Sequence, residues 1–175
     1  ASLTAIAEAA IDSVLILARA DMVRRYGEID AKISIVALGR LGVKQLTAGS
    51  DLDLLIVYDA TPNVLSKGQR RLPAASYVLR LAQTMVSWIS TPTAEGTLYD
   101  VDLRLRPEGQ AGAVATSIGR LATYFDRDAW IWEKQALIPD ASRHFQQTGA
   151  SPRSFLECEF RRTGGANGAM SSLRM

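Results

Sequence analysis

Cysteine is almost absent from this sequence: Cys158 stands alone among 175 residues. A lone thiol makes no intrachain disulfide and no cysteine-based zinc site, and a reducing cytoplasm is the simplest compartment for such a chain. Charge of one sign is also lacking. Twenty Lys and Arg stand against eighteen Asp and Glu, a formal net charge of +2. No long basic face is forced on the fold, so nucleic acid is not the expected partner. No uninterrupted apolar run approaches the roughly eighteen residues that a membrane span needs. The first twenty residues are apolar but carry Glu8 and Asp12 and lack a basic leader, so they read as a helix rather than a signal peptide. The usual phosphate-loop signatures are missing too. GRLGVK at 39–44 lacks the Walker spacing and the hydroxyl residue after its lysine, and no G-x-G-x-x-G occurs.

Apolar residues make up 47% of the chain, enough for the core of one domain. Leu3, Ile6, Ala7, Ala10, Ile11, Val14, Leu15, Ala18, Met22 and Val23 recur at three-four spacing, which predicts a helix stopped by Gly27. ISIVAL at 33–38 predicts a buried strand, followed by a glycine-punctuated connection and a second strand over 51–58. Residues 59–72 are polar and predict an exposed loop. A helix follows over 74–90, with Tyr77, Val78, Leu81, Met85 and Ile89 on one face. TLYDVDLRLR at 97–106 alternates like a strand. Ser117 is placed to cap a helix running to Phe125, and a further helical piece over 128–137 carries Trp130 and Trp132. The order helix, strand, strand, helix, strand, helix predicts an α+β fold with a small mixed sheet flanked by helices. Residues 1–137 form the expected domain. Beyond Leu137 the pattern decays, and residues 138–175 form an irregular tail. The initial Ala and the Gly-, Ser- and Ala-rich ending TGGANGAMSSLRM suggest a piece of a longer protein or an altered end.

One stretch carries the chemistry. In AGSDLDLLIVYD, Asp51 and Asp53 sit at the mouth of an apolar strand. Residues i and i+2 of a strand share a face, so the two carboxylates point together while Leu52, Leu54 and Ile56 point into the core. By itself an Asp-x-Asp at a strand start is also the pattern of a turn or capping pair. It is not an EF-hand loop, because Leu55 and Ile56 stand where a ligand and the glycine belong. Two carboxylates so close repel each other, and a divalent cation such as Mg²⁺ or Mn²⁺ relieves that repulsion. The later strand offers a third: Asp102 shares its face with Arg104 and Arg106, against Val101, Leu103 and Leu105 on the other. Guanidinium groups bind phosphate oxygens in bidentate fashion, and Gly49-Ser50 supplies a close backbone N–H and a hydroxyl. Carboxylates for metal, arginines and a Gly-Ser turn together describe a nucleoside-triphosphate site.

These residues resemble the nucleotidyltransferase superfamily, which has the DNA polymerase β-like fold. The strings ALGRLGVKQLTAGSDLDLLIVYD, GTLYDVDLRLRPEGQAGAVATS and AWIWEKQAL narrow the resemblance to the glutamine synthetase adenylyltransferase family, over roughly residues 35–137. The resemblance implies that Asp51, Asp53 and Asp102 ligate Mg²⁺ or Mn²⁺, with Asp102 also helping to deprotonate the incoming tyrosine hydroxyl. It implies that Gly49 and Ser50 hold the triphosphate of ATP, and that Arg104 and Arg106 steady phosphates or order the carboxylates. Lys44 is a further phosphate candidate or a solvated loop charge. Gly39 and Gly42 serve backbone geometry near the nucleotide. Trp130, Trp132 and Glu133 fit helix packing, and His144 takes no role. The implied partners are glutamine synthetase and, through the whole enzyme, the PII nitrogen-signal protein. The family has two such domains. One transfers AMP from ATP to a tyrosine of glutamine synthetase, and the other removes it by phosphorolysis. WEKQAL resembles the transferring, C-terminal half. The adenylyl-removing reaction and a non-catalytic nucleotide-binding module are the alternatives.

Overall fold

The computed structural model describes residues 2–94, 96–104 and 112–128. The first helix, α1, spans Leu3–Tyr26, with the Ser2 hydroxyl accepting from the Ala5 N–H at 3.2 Å and Gly27 closing the far end at φ +76. Arg24 and Arg25 in its last turn complement the helix dipole. Its buried stripe is Thr4, Ala7, Ile11, Leu15, Ala18, Met22 and Tyr26. Leu3, Ile6 and Val23, expected on that stripe, are instead 43%, 47% and 42% exposed. The helix is apolar nearly all round, so spacing alone does not select the face. The selected one carries Ala7 and Ala18, both fully buried, which let the backbone approach its neighbours closely.

Four strands make the main sheet, and β2 (Leu52–Ala60) is its centre. On one side β1 (Ala31–Ala37) pairs antiparallel along its whole length, from Ala31 opposite Ala60 to Ala37 opposite Leu54. Between these strands lies α2, a single turn over Gly39–Gly42. Next in the chain come α3 (Ala74–Ile89) and a two-stranded ribbon of β3 (Pro92–Thr93) with β4 (Gly96–Thr97). The other side of β2 is shared by two short parallel strands. β5 (Val101–Asp102) pairs at the start of β2, and β6 (Ala115–Ser117) pairs further along, before α4 (Ile118–Arg127).

The sheet is buried on both faces. Ile33, Ile35, Leu52, Leu54 and Ile56 pack with Ile11, Leu15 and Met22 of α1 and Leu81 and Met85 of α3. On the opposite face Leu55 and Val57 lie with Leu121 of α4. This two-sided burial explains the unbroken LLIV run, which would alternate in a half-exposed strand. Asp53 shares the face of Leu55 and Val57 but is only half-buried, and Asp51 is exposed. The carboxylates thus occupy the uncovered end of an otherwise enclosed strand.

Three expectations are corrected. Among the described residues, the strand expected over 97–106 is reduced to Val101–Asp102, because the ribbon takes its start and Asp102 turns the chain after it. The Asp102 carboxylate accepts from the Arg104 N–H at 2.8 Å, a local bond that draws the chain out of the ladder. β6 was not anticipated; three residues, ATS, carry no readable alternation. The connection after β2 is also more structured than a free polar loop. Ser66 is buried, its hydroxyl accepting from the Leu72 N–H at 2.9 Å. Ser117 caps α4 as expected, accepting from the Arg120 N–H at 3.3 Å. The helix expected over 128–137, with Trp130, Trp132 and Glu133, lies essentially outside the described residues, as do Arg106, His144 and the tail.

Candidate active site

The parallel register of β2 and β5 sets Asp53 directly beside Asp102. The Leu52 N–H donates to the Asp100 carbonyl at 2.8 Å, which fixes that register at the strand mouth. Two carboxylates from strands nearly fifty residues apart thereby share one face. Burial first, then the charges of Asp102 and Asp51, push the Asp53 carboxyl above its usual range; Arg104 partly offsets this. Arg104 donates to the Asp102 Oδ2 from Nε at 2.7 Å and from a terminal nitrogen at 2.5 Å. That ion pair, with the neighbouring Asp53 and Asp51 charges, holds the guanidinium even more firmly protonated. An open cleft of about 500 Å³ lies beside them, lined by Asp51, Asp100, Asp102 and Arg104 with Val114 among the apolar wall; Asp53 is not among its lining residues.

The backbone around Asp53 is shaped to admit its carboxylate. Its carbonyl accepts from the Leu38 N–H at 2.8 Å, which leads the chain into α2. The next residue, Gly39, has φ +53, and a Cβ there would stand 2.2 Å from the Asp53 Oδ2. The carboxylate rests in the space that a side chain would fill.

A second cluster flanks Asp51. Residues 47–50 form a tight turn, with the Ser50 N–H donating to the Thr47 carbonyl at 3.1 Å and Gly49 at φ +75. The Thr47 and Ser50 hydroxyls lie 2.7 Å apart. Arg40 donates to both, at 2.8 Å to Thr47 and 3.4 Å to Ser50. Gly49 and Ser50 therefore adjoin Asp51 but do not line the cleft. Lys44, two residues past α2, is exposed in a left-handed conformation at φ +58 and does not line it either. Arg40 was not foreseen, since its partners are seven and ten residues away and only the folded turn brings them together. Asp100, within the stretch 97–106 expected to be a strand, lines the cleft from a loop instead.

Asp51, Asp53 and Asp102 offer hard oxygen donors of the kind a divalent cation prefers, and the crowding that raises Asp53 is what such a cation relieves. Among the described residues, no three His, Cys, Asp or Glu side chains already stand as a ligand group. Arg104 already holds the Asp102 carboxylate in an ion pair. The residue types fit the ion, and an ion bound there would share Asp102 with Arg104.

A family model described as glutamate-ammonia ligase adenylyltransferase matches residues 1–150, wider at both ends than the resemblance over residues 35–137. Two similar proteins are the bifunctional glutamine synthetase adenylyltransferase/adenylyl-removing enzymes of Brucella suis biovar 1 and Brucella melitensis biotype 1. Each is 43% identical over 134 residues, which is 75% of this chain and 14% of theirs. The chain thus spans a small part of the relatives it matches. No helix among the described residues is long and apolar enough to cross a membrane.

Proposed function

Since this chain belongs to the glutamate-ammonia ligase adenylyltransferase family, we propose that its cleft carries a nucleotidyltransferase-type site that transfers AMP from ATP to a tyrosine of glutamine synthetase. The single observation that carries this reading is the parallel register of Asp53 and Asp102, with Asp51 two residues from one and Arg104 two residues from the other. Carboxylates that crowd each other beside a guanidinium suit a polyanion accompanied by cations. Asp51, Asp53 and Asp102 would hold Mg²⁺ or Mn²⁺, which supplies charge neutralisation on the triphosphate and on the departing pyrophosphate. Arg104 exchanges part of its hold on Asp102 for phosphate oxygens. Gly49 and Ser50 orient the triphosphate from the turn beside Asp51. The Asp102 carboxylate takes the phenolic proton. The tyrosine oxygen then bonds to the α-phosphorus as the bond to pyrophosphate breaks.

The Arg40 bonds give the turn a checkable part in this scheme. Arg40→Ala and Ser50→Ala should each weaken ATP binding roughly tenfold, and the double variant little further, because both remove one shared arrangement. Calorimetric titration measures this; fully additive losses would show that the two residues act separately.

The direction of transfer is tested with labelled nucleotide. With ATP labelled at the α-phosphorus and unmodified glutamine synthetase, label should appear on the acceptor and pyrophosphate in solution. Release of ADP from modified glutamine synthetase and inorganic phosphate, without forward labelling, would assign the chain to the adenylyl-removing reaction. WEKQAL, which resembles the transferring half, favours the forward direction.

A further inference from the structure

The loop after β2 is built as a rigid support for cations. Its base is closed at Ser66 and Leu72, whose backbones pair at 2.9 Å while the Ser66 hydroxyl accepts from the Leu72 N–H at 2.9 Å. The loop is then locked against the end of α1. The Gly68 N–H donates to the Tyr26 carbonyl and the Lys67 N–H to the Glu28 carbonyl, both at 2.8 Å. The approach is so close that a Cβ on Gly27 would stand 2.2 Å from the Gly68 nitrogen, and one on Gly68 would stand 2.4 Å from the Tyr26 carbonyl carbon. Between these anchors the tip presents Lys67, Arg70 and Arg71, all exposed. Their side chains make no ion pair among the described residues. Arg25 and Arg80 extend the surface, each guanidinium lying 5.8 Å from the centre of the Tyr26 ring.

Solvated charges need no such fastening, and holding like charges together opposes folding unless something compensates. We propose that this locked loop, with Arg25 and Arg80, is a docking surface for an acidic face of a protein partner. On the reading above, that partner is the glutamine synthetase that accepts AMP. A protein suits the patch better than nucleic acid does. Asp21 pairs with Arg25 at 3.2 Å and Glu28 adjoins the loop through its backbone, so acidic residues interrupt the basic surface and no continuous phosphate track is formed. The aromatic ring at its centre, Tyr26, is 6% exposed and cannot stack on a base. The loop leaves the end of β2 remote from Asp53, about 25 Å along the strand at 3.3 Å per residue. Docking there leaves the cleft free and affects encounter and affinity rather than chemistry.

The test is the triple variant Lys67→Glu, Arg70→Glu, Arg71→Glu in the full chain, assayed for AMP transfer. The KM for glutamine synthetase should rise about tenfold or more, with kcat and the KM for ATP within about twofold. Wild-type KM for the acceptor should climb with salt, and that of the variant should not. Retained near-wild-type melting shows the fold intact, and the milder change of all three to Ala should give a smaller shift in the same direction. An unchanged acceptor KM overturns the proposal. So does loss of binding to a fluorescein-labelled single-stranded RNA while the acceptor KM stays unchanged, since the surface then belongs to nucleic acid. If the wild type transfers no AMP, the functional reading fails separately. Sedimentation then decides the loop: salt-sensitive association with glutamine synthetase, lost in the variant, supports it, and no association overturns it.

Discussion

Replacing Asp53 with Asn should lower AMP transfer about a thousandfold, equivalent to about 4 kcal/mol of transition-state stabilisation, while making the metal-free chain more heat-stable. The two effects share one cause. Asp53 is half-buried between Asp51 and Asp102, so its ionised form is disfavoured in the fold and its carboxyl titrates above the ordinary 3.8. A raised carboxyl favours the folded state when protonated. That contribution is complete below the unfolded pKa and is lost as pH rises through the folded value. At neutral pH the ionised side chain is therefore a net burden on the empty fold, and the amide removes it. The melting temperature at pH 7 should rise by about 2 °C, and the difference from wild type should shrink as pH falls through the raised pKa. A variant that keeps transfer within tenfold of wild type would remove Asp53 from the chemistry. A variant that is less stable at pH 7 would show that packing, not repulsion, governs the position.

Gly39→Ala should leave the protein folded yet reduce transfer about a hundredfold, the loss a displacement near 1 Å can produce at a reacting centre. The added methyl would stand 2.2 Å from the Asp53 Oδ2, so the carboxylate must move. The backbone at φ +53 adds a strain of about 1 kcal/mol for any residue with a side chain. Because the contact is with a side chain rather than backbone, the fold can yield and the site cannot. The loss should fall on kcat and on the metal-dependent part of ATP binding, while the weak metal-free binding stays unchanged because the turn at residues 47–50 is untouched. Equal kcat in wild type and variant would mean that the Asp53 carboxylate works from another position.

The elements that organise this site were legible in the sequence to different degrees. Asp51, Asp53 and Asp102 could be read because strand alternation forces i and i+2 onto one face, and the parallel register then brings the two strands together. α3 was legible because Tyr77, Val78, Leu81, Met85 and Ile89 share one stripe amid polar neighbours, and all five are buried. α1 was legible as a helix but not in its orientation, since apolar residues cover nearly its whole circumference. β6 and the ion pair of Asp102 with Arg104 were not legible. The strand, at three residues, is too short for alternation to be read, and the pair depends on a turn that the alternating string conceals. Arg40 and the Gly39 cradle were hidden for a further reason: each acts on residues that only tertiary folding brings near.

If the crowded carboxylates hold divalent cations for ATP, a calorimetric titration will register it. Wild-type protein and the Asp51→Asn, Asp53→Asn double variant are titrated with ATP, with and without Mn²⁺. Wild type should bind ATP tightly only when Mn²⁺ is present, and the double variant should bind it weakly and without regard to metal. Equal affinity with and without Mn²⁺ in wild type, or metal-dependent binding retained by the double variant, would contradict it.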